Sequence, residues 1–332
     1  LGTYTGALHL GARPVFCDID PETLLIDPED VERRITKRTR AIVPIHLWGN
    51  VCDMDALMDI GRRYGIPIIE DAAHAHGAEW DGVKVGNIGD LTCFSLQGCL
   101  PWGKPVCGGE GGIVTTNVRE FYERMLAYCH LHRAGITDEL TLPEYRGLDS
   151  EVLGLKWRAH PLALAIARVS FKSLDYRNRR RDEFRRKLFE ALEGIPGVRP
   201  VKTYPKAKPG GFYGGLKLIY QPEELEGLPI DRYVEALRAE GVPISRYGRQ
   251  LEHLRTIFRR GFDLWGHGRG PLGGEFLGLP PFEGYKEGDF PVAERMVGRI
   301  LSIPAYIDPE DGFLEQVIKA FEKVAANYKQ LL

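Results

Sequence analysis

The sequence predicts an α/β protein in two parts. A large doubly wound domain with a mixed or parallel sheet covers residues 1–190, and a smaller α+β domain covers 191–332. Three observations predict this. Short apolar runs alternate with stretches of helical spacing up to about His130, and such alternation makes parallel βαβ units. The run Ile66-Pro-Ile-Ile-Glu-Asp71 ends in an acid, as a buried strand delivering a carboxylate at its C-terminal edge would. Near Leu162 the pattern changes to a long basic helical stretch that would link the two parts.

In chain order, Pro14–Cys17 reads as a short strand, Pro28–Ile35 as a helix opening near an acidic cap, and Ala41–Ile45 as a strand. Met54–Tyr64 has helical apolar spacing and stops before Gly65; Ile66–Glu70 is the next strand. Gly112–Thr116 is expected as a strand and Val118–His130 as a helix. Leu162–Leu192 reads as one amphipathic helix, with Leu162, Ile166 and Val169 at helical spacing and Arg179 to Arg186 exposing charge. In the second part Phe212–Tyr220 is a strand and Asp231–Glu240 a helix. Val242–Ser245 is an edge strand because of its Pro, and Leu314–Tyr328 is a closing helix. No internal repeat is present.

With 332 residues, 43% hydrophobic and 27% charged, the chain can bury a large core. A formal charge of −2 argues against a nucleic-acid surface, and the run Arg177-Asn-Arg-Arg-Arg181 reads as a solvated helix face. No apolar run reaches membrane-spanning length and no signal peptide is expected. The six cysteines (Cys17, Cys52, Cys93, Cys99, Cys107, Cys129) lack paired zinc spacing and read as reduced cytoplasmic thiols.

The candidate chemistry lies between Asp71 and Gly112. Asp71 at a strand end is followed by His74, then by Ser95 in Cys93-Phe-Ser-Leu-Gln97, then by Lys104 ahead of Gly108-Gly-Glu-Gly-Gly112. Each has an ordinary reading: the Asp as cap or turn former, the His as a core residue, the Lys as surface charge, the glycines as a flexible loop. Their order and closeness favour a joint one. An acid for a pyridinium nitrogen, a Ser for a phosphate and a Lys for a Schiff base together suggest pyridoxal phosphate (PLP). Between Lys37 and Lys172 the lysines are Lys84, Lys104 and Lys156, so candidates are few.

This stretch resembles the DegT/DnrJ/StrS family of PLP-dependent sugar and cyclitol aminotransferases, which have the type I aspartate aminotransferase fold. The likeness begins near Gly11-Ala-Arg-Pro-Val-Phe-Cys-Asp-Ile-Asp20 and includes Pro44-Ile-His-Leu-Trp-Gly-Asn50 and the Asp71 segment. It continues through Gly109-Glu-Gly-Gly112, Gly154-Leu-Lys-Trp-Arg158 and Phe290-Pro-Val-Ala-Glu294. The resemblance implies that Asp71 pairs with the ring nitrogen, His74 lies near the ring's phenolic oxygen, Ser95 touches the phosphate and Lys104 forms the Schiff base. Lys104 would then also serve as acid–base catalyst. It implies two half-reactions, through pyridoxamine phosphate, from L-glutamine or L-glutamate to a keto-sugar or keto-cyclitol. It also implies a homodimer with shared sites, in which Lys156 stands where many relatives carry an Asn that reaches the neighbouring subunit's phosphate.

Besides Lys156, the chain departs from the family pattern in two places. Ser95 to Lys104 spans nine residues where the family usually has five, and Gly98-Cys-Leu-Pro-Trp-Gly103 is expected to bulge as a turn. The opening Leu1-Gly-Thr-Tyr-Thr-Gly falls after the phosphate-holding turn and stacking aromatic of the family, so the sequence is expected to be either a truncated or partly disordered version or a diverged one. Three rival readings stand beside the aminotransferase. One is a pyridoxamine-phosphate-dependent sugar dehydratase, another an inactive dimeric homologue with a regulatory role, and the third a synthase that makes an aminobenzoate. Residues 246–290 read either as a lid or as a surface excursion, and no site residue is assigned there.

Overall fold

The computed structural model describes residues 2–101, 103–130, 137–148, 155–248, 250–260, 278 and 280–332. Helix α1 is Gly2–His9. Helix α2, Pro28–Arg34, opens on Asp27, whose side chain accepts from Glu29 N, with Pro28 at the first helical position. Helix α3, Met54–Tyr64, is capped by Asp53 and closed by Gly65 in the left-handed region (φ 63°). Then come β1 (Ile69–Asp71), β2 (Glu79–Trp80), β3 (Val83–Lys84), β4 (Leu91–Ser95), β5 (Gly112–Thr115) and α4 (Arg119–Cys129). The expected single helix from Leu162 is two: α5 (Pro161–Lys172) and α6 (Leu174–Leu192), parted at Ser173. The rest is β6 (Val198–Pro200), β7 (Ala207–Lys208), β8 (Leu216–Tyr220), α7 (Ile230–Ala239), β9 (Ser245–Arg246), α8 (Thr256–Arg260), α9 (Pro291–Val297), β10 (Ile300–Ile303) and α10 (Phe313–Asn327).

Two compact units emerge, neither continuous in sequence: 39–179 with 204–213, and 1–38 with 180–203 and 214–332. In the first, β1 runs parallel to β4, placing Asp71 opposite Cys93, and β5 is antiparallel at the edge. The expected strand at 41–45 lies along β1 through parallel bridges, Ile42 with Ile68 and Ile45 with Asp71. The sheet is therefore mixed, as the sequence predicts. A second ribbon in this unit has the order β3-β2-β7. In the other unit an antiparallel sheet has the order β6-β8-β10-β9, with β8 buried throughout and β9 on the edge; the strand expected at 242–245 is shifted to Ser245–Arg246, leaving Pro243 outside it.

Three local expectations are corrected. Pro14–Cys17 forms no strand: the Phe16 N–H donates to the Tyr285 hydroxyl (3.2 Å), and the Phe16 ring enters an aromatic cluster with Tyr4, Phe258 and Phe290. In α5 the apolar triad faces outward, Leu162 being 69% exposed, Ile166 56% and Val169 68%, while Ala167 and Ser170 are buried. The Arg177 side chain is buried rather than solvated. In the region of 246–290, Arg246 forms a bidentate pair with Asp231 (2.8 and 2.9 Å), and buried His253 meets Glu294 at 2.9 Å. Trp265, His267 and Arg269 lie outside the described residues.

β1 is held by a buried carboxylate one residue before Asp71. Glu70 is fully buried, and its Oε1 accepts from Gly89 N (2.8 Å) and Thr92 Oγ1 (2.6 Å). Its Oε2 meets His46 Nε2 at 2.8 Å. Cys52 N donates to His46 Nδ1 (3.2 Å), so His46 is the neutral tautomer with its proton on Nε2, aimed at Glu70. Burial pushes the Glu70 carboxyl up, but His46, Thr92 and Gly89 together hold it below its ordinary 4.5. Removing the carboxylate strands three buried donors. Glu70→Ala should therefore cost about 3–5 kcal/mol in urea unfolding. A depressed folded pKa gives stabilisation that is full above 4.5 and fades as the pH falls through the folded value. The stability gap between wild type and Glu70→Gln should accordingly be widest near neutrality and narrow in acid.

Candidate functional site at the end of β1 and β4

Asp71 ends β1 with its amide donating to Pro44 O (2.9 Å) and its carbonyl accepting from His46 N (3.0 Å). Its Oδ1 accepts from Ala73 N (3.0 Å), which turns the chain out of the strand, so the turn-forming role of this acid is present. His74 follows, its Nδ1 accepting from Trp48 N (3.3 Å). Ser95 ends the adjacent strand opposite Gly112, and its Oγ accepts from Gln97 N (3.3 Å).

Lys104 is brought back to this edge by its own loop. Lys104 N donates to Gln97 O (2.9 Å), Gly103 N to Cys99 O (2.5 Å), and Gly98 and Gly109 exchange backbone bonds of 2.6 and 2.9 Å. The extra residues are thus closed at their base, with Cys99, Leu100 and Pro101 exposed, and Lys104 leaves the loop beside a residue only two beyond Ser95. Glycine is required at both ends. A Cβ on Gly98, which has φ 86°, would lie 2.7 Å from Gly103 Cα, and one on Gly103 would lie 2.5 Å from Cys99 N.

Tyr213, which sequence reasoning placed inside a strand, joins the set. Lys104 Nζ lies 3.9 Å from its ring centroid, and the His74 ring lies 4.6 Å away. It stands in Pro209-Gly-Gly-Phe-Tyr-Gly-Gly215, and paired glycines on both sides of two aromatics were the signal available. Those glycines allow backbones to cross. A Cβ on Gly210 would meet Ala78 N at 2.6 Å, and one on Gly211 would meet His74 O at 2.3 Å. Asn178 ties the crossing, donating to His76 O (2.8 Å) and accepting from Gly211 N (2.9 Å).

His76 was also missed. It is 5% exposed, neither ring nitrogen has a hydrogen-bond partner, and its ring lies 5.2 Å from that of Phe94. Burial first, then the charges of Lys104 and Arg177, push its pKa down to about 4, so it stays neutral. Burial and Asp71 push the Cys93 thiol up. Asp71, His74, Ser95 and Lys104 thus gather where β1 and β4 end. Lys156 does not join them; it is exposed, and its backbone pairs with His130 just beyond α4.

The chain has a mixed α/β sheet with an acid, a hydroxyl and a loop-borne lysine beyond the C-terminal ends of parallel strands, and its fold is that of the PLP-dependent sugar aminotransferases. Residues 1–264 match the model of the DegT/DnrJ/EryC1/StrS aminotransferase family, and the chain belongs to that family. It is 32% identical over 326 residues to protein MJ1066 of Methanocaldococcus jannaschii, covering 96% of this chain and 75% of that one. It is 38% identical over 247 residues to the L-glutamine:2-deoxy-scyllo-inosose aminotransferase of Streptoalloteichus tenebrarius, covering 71% of this chain but 55% of that protein. Among solved structures, the aminotransferase from Psychrobacter cryohalolentis superposes with a TM-score of 0.78 at 26% identity, over 98% of this chain and 78% of that one. DesV of S. venezuelae gives 0.72 at 27% identity, over 95% and 72%.

Gly103→Ala should break the loop closure, because the Cβ meets backbone that cannot yield. We expect a loss of about 1–3 kcal/mol in urea unfolding, whereas Leu100→Ala on the exposed tip should change little.

Proposed function

We propose that this chain is a PLP-dependent aminotransferase that moves an amino group from L-glutamine or L-glutamate to a keto-sugar, nucleotide-linked or free, or to a keto-cyclitol. The observation that carries the proposal is the return of Lys104 to Gln97, facing Tyr213 and His74 beside the end of β4. The names of the relatives, which include glutamine-dependent inosose aminotransferases, support the substrate class. The residues fit the cofactor, because a buried imidazole with unsatisfied nitrogens and a lysine lie beside Ser95. When bound, PLP supplies an electrophilic carbonyl and an electron-withdrawing ring. In this reading Asp71 would hold the ring nitrogen protonated, Ser95 would donate to the phosphate, His74 would stand by the ring oxygen, and Tyr213 would keep the Lys104 amine in place. Lys104 Nζ would be the amine that holds the cofactor, and as a free amine it could take up and return a proton. All of the residues assigned to the cofactor, with Tyr213, fall in the unit of 39–179 and 204–213.

A homodimer with shared sites belongs to the same proposal. Helix α5 turns small residues inward and large apolar ones, Leu162, Ile166, Val169 and Phe171, to solvent, which suits a second copy of the chain. Lys156 would then act as a point charge toward the phosphate of the neighbouring site. No helix among the described residues is long and apolar enough to cross a membrane; a cytoplasmic setting is part of the same proposal. A second reading, an aminobenzoate-forming synthase, has support in a TM-score of 0.66 at 26% identity to 3-amino-5-hydroxybenzoic acid synthase. Product analysis separates the two.

The test is an absorbance spectrum of the purified protein with PLP, before and after borohydride, followed by identification of the labelled peptide. A band near the visible–ultraviolet edge, bleached by reduction and trapped on Lys104, with L-glutamine shifting the unreduced protein, is the expected outcome. Label on another lysine, or no band, would sink the assignment and bring forward the dehydratase and inactive-homologue readings. Ile166→Glu should shift the sedimentation of the protein toward monomer.

A further inference from the structure

The helix break at Ser173 leaves a feature that the proposed reaction does not use. Arg177, in the first turn of α6, is 6% exposed. Its Nε donates to Ser173 Oγ (3.1 Å), and its Nη2 to the carbonyls of Pro105 (2.7 Å) and Ser170 (2.8 Å) and to Ser170 Oγ (3.4 Å). All of these acceptors are neutral, and Nη1 has no partner. A buried cation without a carboxylate is costly, and an apolar side chain of similar length would fill the same space at less cost. Burial accordingly pulls the guanidinium below its ordinary pKa.

Arg177 also does not stand alone. The unpartnered imidazole of His76 feels the charges of both Lys104 and Arg177. Around these two cations stand the buried Cys107 thiol behind the loop, Ser170 of α5, Ser95 of β4 and the Tyr213 ring. The carboxylate of this edge, Asp71 at the end of β1, hydrogen-bonds the Ala73 amide and acts on the Cys93 thiol.

We propose that Arg177 is a positioning residue for Lys104: it fixes the Pro105 carbonyl next to that lysine and, as a buried cation without a carboxylate, biases the Lys104 amine toward its neutral form. A like charge nearby disfavours the ammonium, whereas the Tyr213 ring face favours it. Arg177 thus offsets the aromatic contact that holds the lysine in place. The neutral amine is the form that adds to a carbonyl or accepts a proton. The inference rests on reading Lys104 as the reactive amine of the site.

The test uses the cofactor-free protein. Trace acetic anhydride labelling from about pH 6 to 11, read by peptide mass spectrometry, gives the titration midpoint of Lys104 against exposed Lys172 as internal reference. Neutralising Arg177 by Arg177→Gln, which keeps a donor, or by Arg177→Met should raise the Lys104 midpoint by about one pH unit, a roughly tenfold loss of neutral amine near pH 8. Arg177→Lys should keep it near wild type. An unchanged midpoint in folded Arg177→Gln overturns the proposal, as does failure of both neutral variants to fold, which assigns Arg177 a purely structural role. The outcome is independent of the borohydride experiment. Lys104 can be the labelled lysine and titrate without regard to Arg177, or be sensitive to Arg177 and not be the labelled residue.

Discussion

The site depends on a carboxylate that never reaches it. Glu70, buried beneath the sheet edge, gathers a hydroxyl, a backbone amide and an imidazole proton around itself. It thereby locks β1 to β4 on one side and to the 42–46 segment on the other. An interior anion is tolerated only when its lone pairs are filled, and here each oxygen has a donor. The next residue, Asp71, inherits that rigidity from the strand. Positions further on, His74 and His76, are placed by the turn that Asp71 itself caps.

Around this anchor the protein relies on backbone approaching backbone. The 48–50, 74–78 and 210–213 segments cross where Gly49, Gly77, Gly210 and Gly211 leave no room for a side chain. A Cβ on Gly49 would lie 2.0 Å from Gly210 O. Asn178 satisfies the polar groups at that crossing from α6. The result brings an aromatic ring from far along the chain against both His74 and Lys104, which local sequence could not do.

Much of this was legible in the sequence, for identifiable reasons. Helices α2 and α3 announce themselves by Asp caps and, for α3, by a closing glycine; β1 shows itself as an apolar run ending in an acid. Asp71, Ser95 and Lys104 were readable because their chemistry is unusual in that order. The failures share a cause as well. Leu162, Ile166 and Val169 have the spacing of a core face, but spacing does not say which side of a helix is covered, and in α5 it is the alanine and serine side. Arg177 lies within a basic run, so its burial is invisible without the fold. Tyr213 and His76 owe their places to contacts between distant segments, and Phe16 forsakes a strand because a tyrosine hydroxyl accepts its amide.

The closed base of the 98–103 loop makes this stretch a detachable cassette. Because Gln97 and Lys104 meet directly, the residues at its tip carry no part of the burden of placing the lysine. Their length and composition are free to drift so long as the two flanking glycines persist. A descendant lineage, or a protein engineer, could therefore exchange the tip for a recognition peptide or a spectroscopic probe a few residues from Lys104.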